Sequence, residues 1–161
     1  MTTAIARPYG DLSCARILCV GDNAKDLVEI QLRLDIDVDF VLVANPMEGH
    51  AALAAEAEFD IIVFDRPMCG ELGIQFLTRL STHSADAERI ILAPSDDRAS
   101  RDIAANDGRV MRLLCRPCPA TILREAVSDA LLRHRARLLR MTTVPRVTPA
   151  GAHPCCARVN Y

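Results

Sequence analysis

The stretch IIVFDRPMCG, residues 61–70, drives four apolar residues into an aspartate and then stops at a proline. A short continuous apolar run, without strict alternation, suits a strand buried on both faces, as in a parallel sheet. Asp65 then stands at the end of that strand, where a carboxylate serves as a helix cap, a cation ligand or a nucleophile. The rest of the chain decides among the three.

Four other runs have the same character: ARILCVG (15–21), VDFVLVA (38–44), RIILA (89–93) and VMRLLC (110–115). Between the runs lie helical patterns. NAKDLVEIQLRL (23–34) repeats Leu27, Ile30 and Leu34 at helical spacing. EGHAALAAEA (48–57) is alanine-rich, and ELGIQFLTRL (71–80) puts Leu72, Phe76 and Leu80 on one stripe. DDRASRDIAAN (96–106) has Asp96 as its cap and Gly108 beyond its end. The longest pattern, 120–140, gathers Ile122, Leu123, Ala126, Val127, Ala130 and Leu131 on one face.

Strand and helix alternate five times, which predicts an α/β fold: a doubly wound five-stranded parallel sheet with helices on both faces. In such folds the reactive crevice lies at the carboxyl ends of the strands. Residues 1–13 read as a loose leader, 14–140 as the folded unit, and 141–161 as a flexible tail or linker rich in proline.

Bulk properties narrow the function. A chain of 161 residues suits one domain with a single sizeable core. A formal charge of -2 gives no electrostatic reason to expect nucleic acid, and four Phe, two Tyr and no Trp leave few stacking platforms. No apolar run reaches the ~18 residues of a membrane helix, and no signal-peptide layout opens the chain. The expected location is the cytoplasm, where the seven cysteines are thiols.

The strand ends carry Gly21, Asp22 and Asn23 after the first run, and Asp65, Arg66, Pro67 and Met68 at the third. Ala93 and Pro94 follow the fourth, and Arg116 and Pro117 the fifth. With the first and third strands adjacent, Asp22 and Asp65 face one crevice. Two such carboxylates repel unless a positive charge intervenes. A hard divalent ion is one solution and Arg116 is the other.

ILCVGDN, FDRPMCGELG, IILAPSDD and LLCRPC, in this order and spacing, resemble the receiver domain of bacterial two-component response regulators, over roughly residues 15–134. The segment AANDGRVMRLLCRPCPATILREAV also resembles receivers that precede cyclic-dinucleotide phosphodiesterase modules. The resemblance implies a flavodoxin-like sheet of order 2-1-3-4-5. It makes Asp65 the acceptor of a phosphoryl group from a histidine kinase or phosphotransfer protein, and Asp22 a magnesium ligand, with the backbone carbonyl of Pro67 as another. It implies a signalling domain rather than an enzyme, and a cis bond before Pro117. Its downstream partner or homodimer contact would use the surface of the fourth helical segment, fifth strand and fifth helix.

Four positions depart from that family. Gly21 replaces one of two adjacent acids, Ala93 the Ser or Thr, Arg116 the lysine, and Leu113 the aromatic switch residue. Loss of one carboxylate weakens magnesium binding. Ala93 removes a charge-assisted hydrogen bond worth about 1.5–3 kcal/mol. Arg116 keeps the charge, and its planar fork fits a bidentate clamp on Asp65. Two readings follow: an atypical phosphoacceptor, or a pseudo-receiver that binds its partner without phosphorylation.

Other features compete. Cys115-Arg116-Pro117-Cys118 is a C-x-x-C at a helix start, open to thiol–disulfide chemistry, although Cys115 inside an apolar run favours burial. His153, Cys155 and Cys156 supply zinc-type ligands at unsuitable spacing. RHRARLLR (133–140) suits a solvated, dipole-compensating helix end better than a nucleic-acid patch. Leu131, Leu132, Leu138 and Leu139 offer a seam for a coiled-coil or dimer contact.

Overall fold

A computed structural model of the chain describes residues 15–55, 58–65, 75, 86–106 and 109–142. The elements in chain order are β1 (Arg16–Val20), α1 (Ala24–Leu34), β2 (Asp39–Val43), α2 (Pro46–Ala54), β3 (Ile61–Asp65), β4 (Glu88–Ala93), α3 (Arg98–Asn106), β5 (Val110–Cys115) and α4 (Ala120–Thr142). The expected leader 1–13 and nearly all of the tail lie outside the described residues, as do residues 71–80 apart from Gln75.

All five strands are parallel, in the order β2-β1-β3-β4-β5. Alternate side chains feed two cores. Ile17, Cys19, Ile61, Val63, Ile90 and Leu92 meet α1 and α4 on one face. Leu18, Val20, Ile62, Phe64 and Ile91 fill the other, against Ala52 of α2 and Ile103 of α3. The three inner strands are buried almost throughout, as their continuous apolar runs predict.

The edge strands differ. In β5, Arg112 and Cys115 are exposed. Cys115 is therefore not the buried small hydrophobe that its apolar neighbours predict, because β5 has a partner on one side only. Cys118, past the strand, is the buried thiol.

Helix starts follow local chemistry. Asn23 caps α1 by accepting from the Lys25 N–H at 3.0 Å, and Leu27, Ile30 and Leu34 are buried as their spacing predicts. Asn45 caps α2 through Glu48 N–H at 2.7 Å, so that helix begins two residues before the expected start. The cap of α3 is Asp97 rather than Asp96: its carboxylate accepts from Ser100 Oγ at 2.6 Å and its backbone carbonyl from Arg101 N–H at 3.3 Å. Gly108 lies outside the described residues.

Candidate functional site at the carboxyl edge of the sheet

Asp65 ends the central strand β3, paired in register with Leu92 of β4, and its side chain is only 1% exposed. Burial on this scale follows from its position: β4 continues past it to Ala93, and although β1 ends at Val20 opposite Phe64, the strand residues around it are buried. Its Oδ2 accepts from Arg116 Nη2 at 2.6 Å. Its Oδ1 is buried and has no hydrogen-bond partner among the described residues.

Arg116 is positioned by backbone. Its N–H donates to the Ala93 carbonyl at 3.0 Å, and the Arg116–Pro117 peptide is cis. The guanidinium does not clamp Asp65 bidentately. Its second arm, Nη1, lies 3.6 Å from Asp26 Oδ2. The fork is divided between two acids because α1 brings a second carboxylate to the same edge.

Asp26 is the site residue that sequence reading missed. It lies four residues after Asp22, in the first turn of α1, where an acid reads as compensation for the helix dipole. Asp22 precedes the cap of α1 and Asp26 follows it, and the charges of both act on Asp65. Asp22 itself is exposed in the turn after β1. Burial pushes the Asp65 carboxyl up to about 6; Arg116 opposes the rise, and the charges of Asp26 and Asp22 add to it. The neighbouring Cys19 thiol is pushed up to about 12 by burial and by Asp65.

The departures from the receiver pattern have local consequences. A Cβ at Gly21 would lie 2.9 Å from Leu27 Cδ2 and 3.4 Å from Asp65 Cβ, so any side chain there requires Leu27 to shift. Ala93 is buried at the end of β4 and presents a methyl group. Leu113 is half-buried and packs on the opposite face of the sheet with Ala93. Arg66, Pro67, Met68 and Gly73 lie outside the described residues.

Among the described residues no three His, Cys, Asp or Glu side chains gather into a metal-binding group. The donors nevertheless fit a hydrated magnesium ion, which takes one or two carboxylates and keeps several waters. The buried, unpartnered Asp65 Oδ1 is the oxygen such an ion would satisfy. Beside Arg116 the site opens on a cavity of about 390 Å³ lined by Asp26, Arg33, Leu92, Cys118 and Leu123.

Cys115 and Cys118 are both free thiols. Burial raises the Cys118 thiol, opposite to what an attacking thiolate needs. His153, Cys155 and Cys156 lie outside the described residues.

No family model matches the chain, and no curated protein matches it. Solved structures do. A response regulator receiver domain protein (CheY-like) from Methanospirillum hungatei JF-1 superposes with a TM-score of 0.69 at 18% identity, covering 78% of this chain and 99% of that one. It has the receiver fold. The signal receiver domain of an HD domain-containing protein from Pseudomonas fluorescens Pf-5 gives a TM-score of 0.68 at 22% identity, covering 78% and 93%. A structure described as adenylate cyclase from Rhodopirellula baltica gives 0.71 at 22% identity, covering 79% and 94%. In the receiver fold of this chain, Asp65 and Arg116 stand at the ends of β3 and β5. No described helix is long and apolar enough to cross a membrane.

Proposed function

We propose that residues 14–140 form the receiver module of a cytoplasmic two-component phosphorelay, with Asp65 as phosphoacceptor and Arg116 as its resting counter-charge. The observation that supports this most is a buried carboxylate at the end of the central strand with one oxygen bound and the other unpartnered. An Asp65 oxygen attacks phosphorus in a phosphohistidine of a kinase or phosphotransfer protein. A P–O bond forms, the P–N bond breaks, and the imidazole leaves with a proton. Magnesium, held by Asp65, Asp22 and the Pro67 carbonyl, would neutralise charge on the transferring phosphoryl oxygens. Arg116 must release Asp65 and turn to the phosphoryl group, while Asp26 retains the guanidinium nearby. The module is a signalling acceptor rather than a turnover enzyme, and its output surface is built from α3, β5 and α4.

The test is intact mass after incubation with acetyl phosphate and magnesium, beside Asp65→Asn. Gain of one phosphoryl group in the wild type and none in the variant supports the reading. Absence of modification in the wild type and in Arg116→Lys overturns it.

A second reading has its own support. The Asp65–Arg116 pair is already formed, and Ala93 has no hydroxyl to follow a phosphate. On that reading the chain is a pseudo-receiver, with the pair as a permanent mimic of the engaged state. Partner affinity that is equal for wild type and Asp65→Asn, with or without acetyl phosphate, selects it.

A further inference from the structure

Beyond His134 and Arg137, which still reach the starts of β3 and β4, α4 leaves the sheet. Its last buried side chain is His134, and residues 138–141 are exposed. Along the end of the helix, Arg133, Arg137 and Arg140 recur at i, i+4 and i+7 and line one cleft of about 240 Å³ with Ala136. Arg137 is neutralised by Glu88 and also reaches the Asp86 carbonyl at 3.3 Å. Among the described residues, Arg133 and Arg140 have no acidic partner. The next stripe of the helix is Leu132, Ala136 and Leu139, with Leu132 55% and Leu139 67% exposed.

The charge here is not balanced along the chain. After Asp129 there is no Asp or Glu, while six arginines follow; the preceding residues hold thirteen basic and twenty-one acidic side chains. Neither the leader nor the tail carries acids enough to occupy the cleft, since Asp11 is the only one.

We infer that this arginine cleft and its leucine stripe dock an acidic amphipathic helix of another protein, with carboxylates on the guanidiniums and apolar residues on Leu132 and Leu139. Two parallel copies of the helix would set arginine against arginine, so a second copy in that orientation does not fit. A bilayer fits less well, because Glu125 and Asp129 share the leucine face and would be pressed on anionic headgroups. A phosphate polymer meets no aromatic side chain on α4 and a strongly acidic remainder of the molecule. A helix in a groove, held by apolar anchors and steered by charge, matches both features. The docking does not depend on phosphorylation of Asp65.

The probe is a labelled synthetic helical peptide with glutamates at i, i+4 and i+7 beside a leucine stripe, titrated with the full chain by fluorescence anisotropy. Saturable binding is expected, weakening as salt screens the ion pairs. Arg133→Glu/Arg140→Glu should weaken it about ten-fold or more, and Leu132→Ser/Leu139→Ser should weaken it as well. All four sites are exposed, and melting curves of both double variants check folding; Arg133→Gln/Arg140→Gln replaces the first if it melts early. No saturable binding, undiminished binding by folded variants, or tighter binding to phosphatidylserine vesicles or duplex DNA than to the peptide overturns the inference.

Discussion

Asp65 carries its charge against its surroundings. Burial raises its carboxyl from 3.8 to about 6, Asp26 and Asp22 push the same way, and the Arg116 guanidinium offsets only part. The folded state therefore binds more protons than the unfolded one between these values, so stability falls as pH rises from about 4 to 6 and stays reduced above. A carboxyl held about two pH units high destabilises by at most about 3 kcal/mol. Asp65→Asn removes that charge but leaves Arg116 with Asp26 alone. The expected outcome is a gain of about 1–2 kcal/mol at pH 7.5 that vanishes near pH 3.5, read by urea melts at both values. A variant less stable than wild type at pH 7.5 would show that the Arg116 bond outweighs desolvation. At this scale the sequence supplied Asp22, Asp65 and Arg116 as strand-end residues. It did not supply Asp26, or the division of the fork, because side-chain direction depends on how α1 packs.

The elements were legible where one face decides them. Leu27, Ile30 and Leu34 define α1, and the apolar runs define the inner strands. The long α4 reads as one amphipathic helix, yet its contact with the sheet ends at His134 and Arg137; Leu131 is core while Leu132, Leu138 and Leu139 face outward. The basic run at its end is also not uniformly solvated. His134 is buried, with Nδ1 3.0 Å from the Asp86 carbonyl and Nε2 3.1 Å from Asp60 Oδ1. Both partners are acceptors, so the protonated ring, with both nitrogens donating, satisfies both. The Asp60 hydrogen bond raises its pKa against burial, aided by the Asp86 carbonyl and the charges of Asp60 and Glu88; Arg137 and Arg135 stand nearby. The ion pair ties α4 to the starts of β3 and β4. Its contribution is fully present below the unfolded histidine value of about 6.5 and is lost as pH rises through the higher folded value. For Asp60, burial raises the carboxyl, and the His134 bond, Arg16 N–H and nearby positive charges more than offset it. That contribution is lost as pH falls through its lowered value. Replacing His134 with Gln should cost about 1–3 kcal/mol at pH 6 and much less at pH 9, measured by thermal or urea melts. Equal losses at both pH values would mean that the ring packs there uncharged.

Across the whole molecule, β3 is the middle one of three strands, with β1 and β4, that feed both cores. Ile61 and Val63 point to the α1–α4 side, Ile62 and Phe64 to the α2–α3 side, and all are at most 1% exposed. Phe64→Ala should therefore cost about 3–5 kcal/mol, seen as a lower urea midpoint with an unchanged slope. A loss under about 1 kcal/mol would mean that the second core collapses around the missing ring. Fold class came from the sequence alone, because continuous apolar runs alternating with helical spacing admit few layered arrangements. So did the choice of strand ends as the reactive edge. Edge strands were misread: the apolar run of β5 does not reveal that one side lacks a partner, and Cys115 therefore turned out exposed. What the polymer order determined was which residues lie at which end of the sheet, since period and turn chemistry are local. Only the packed molecule decided which charges touch: Asp26 with Arg116, His134 with Asp60, and Arg137 with Glu88. Those pairings depend on helix azimuth and burial, which arise when separate segments share one core.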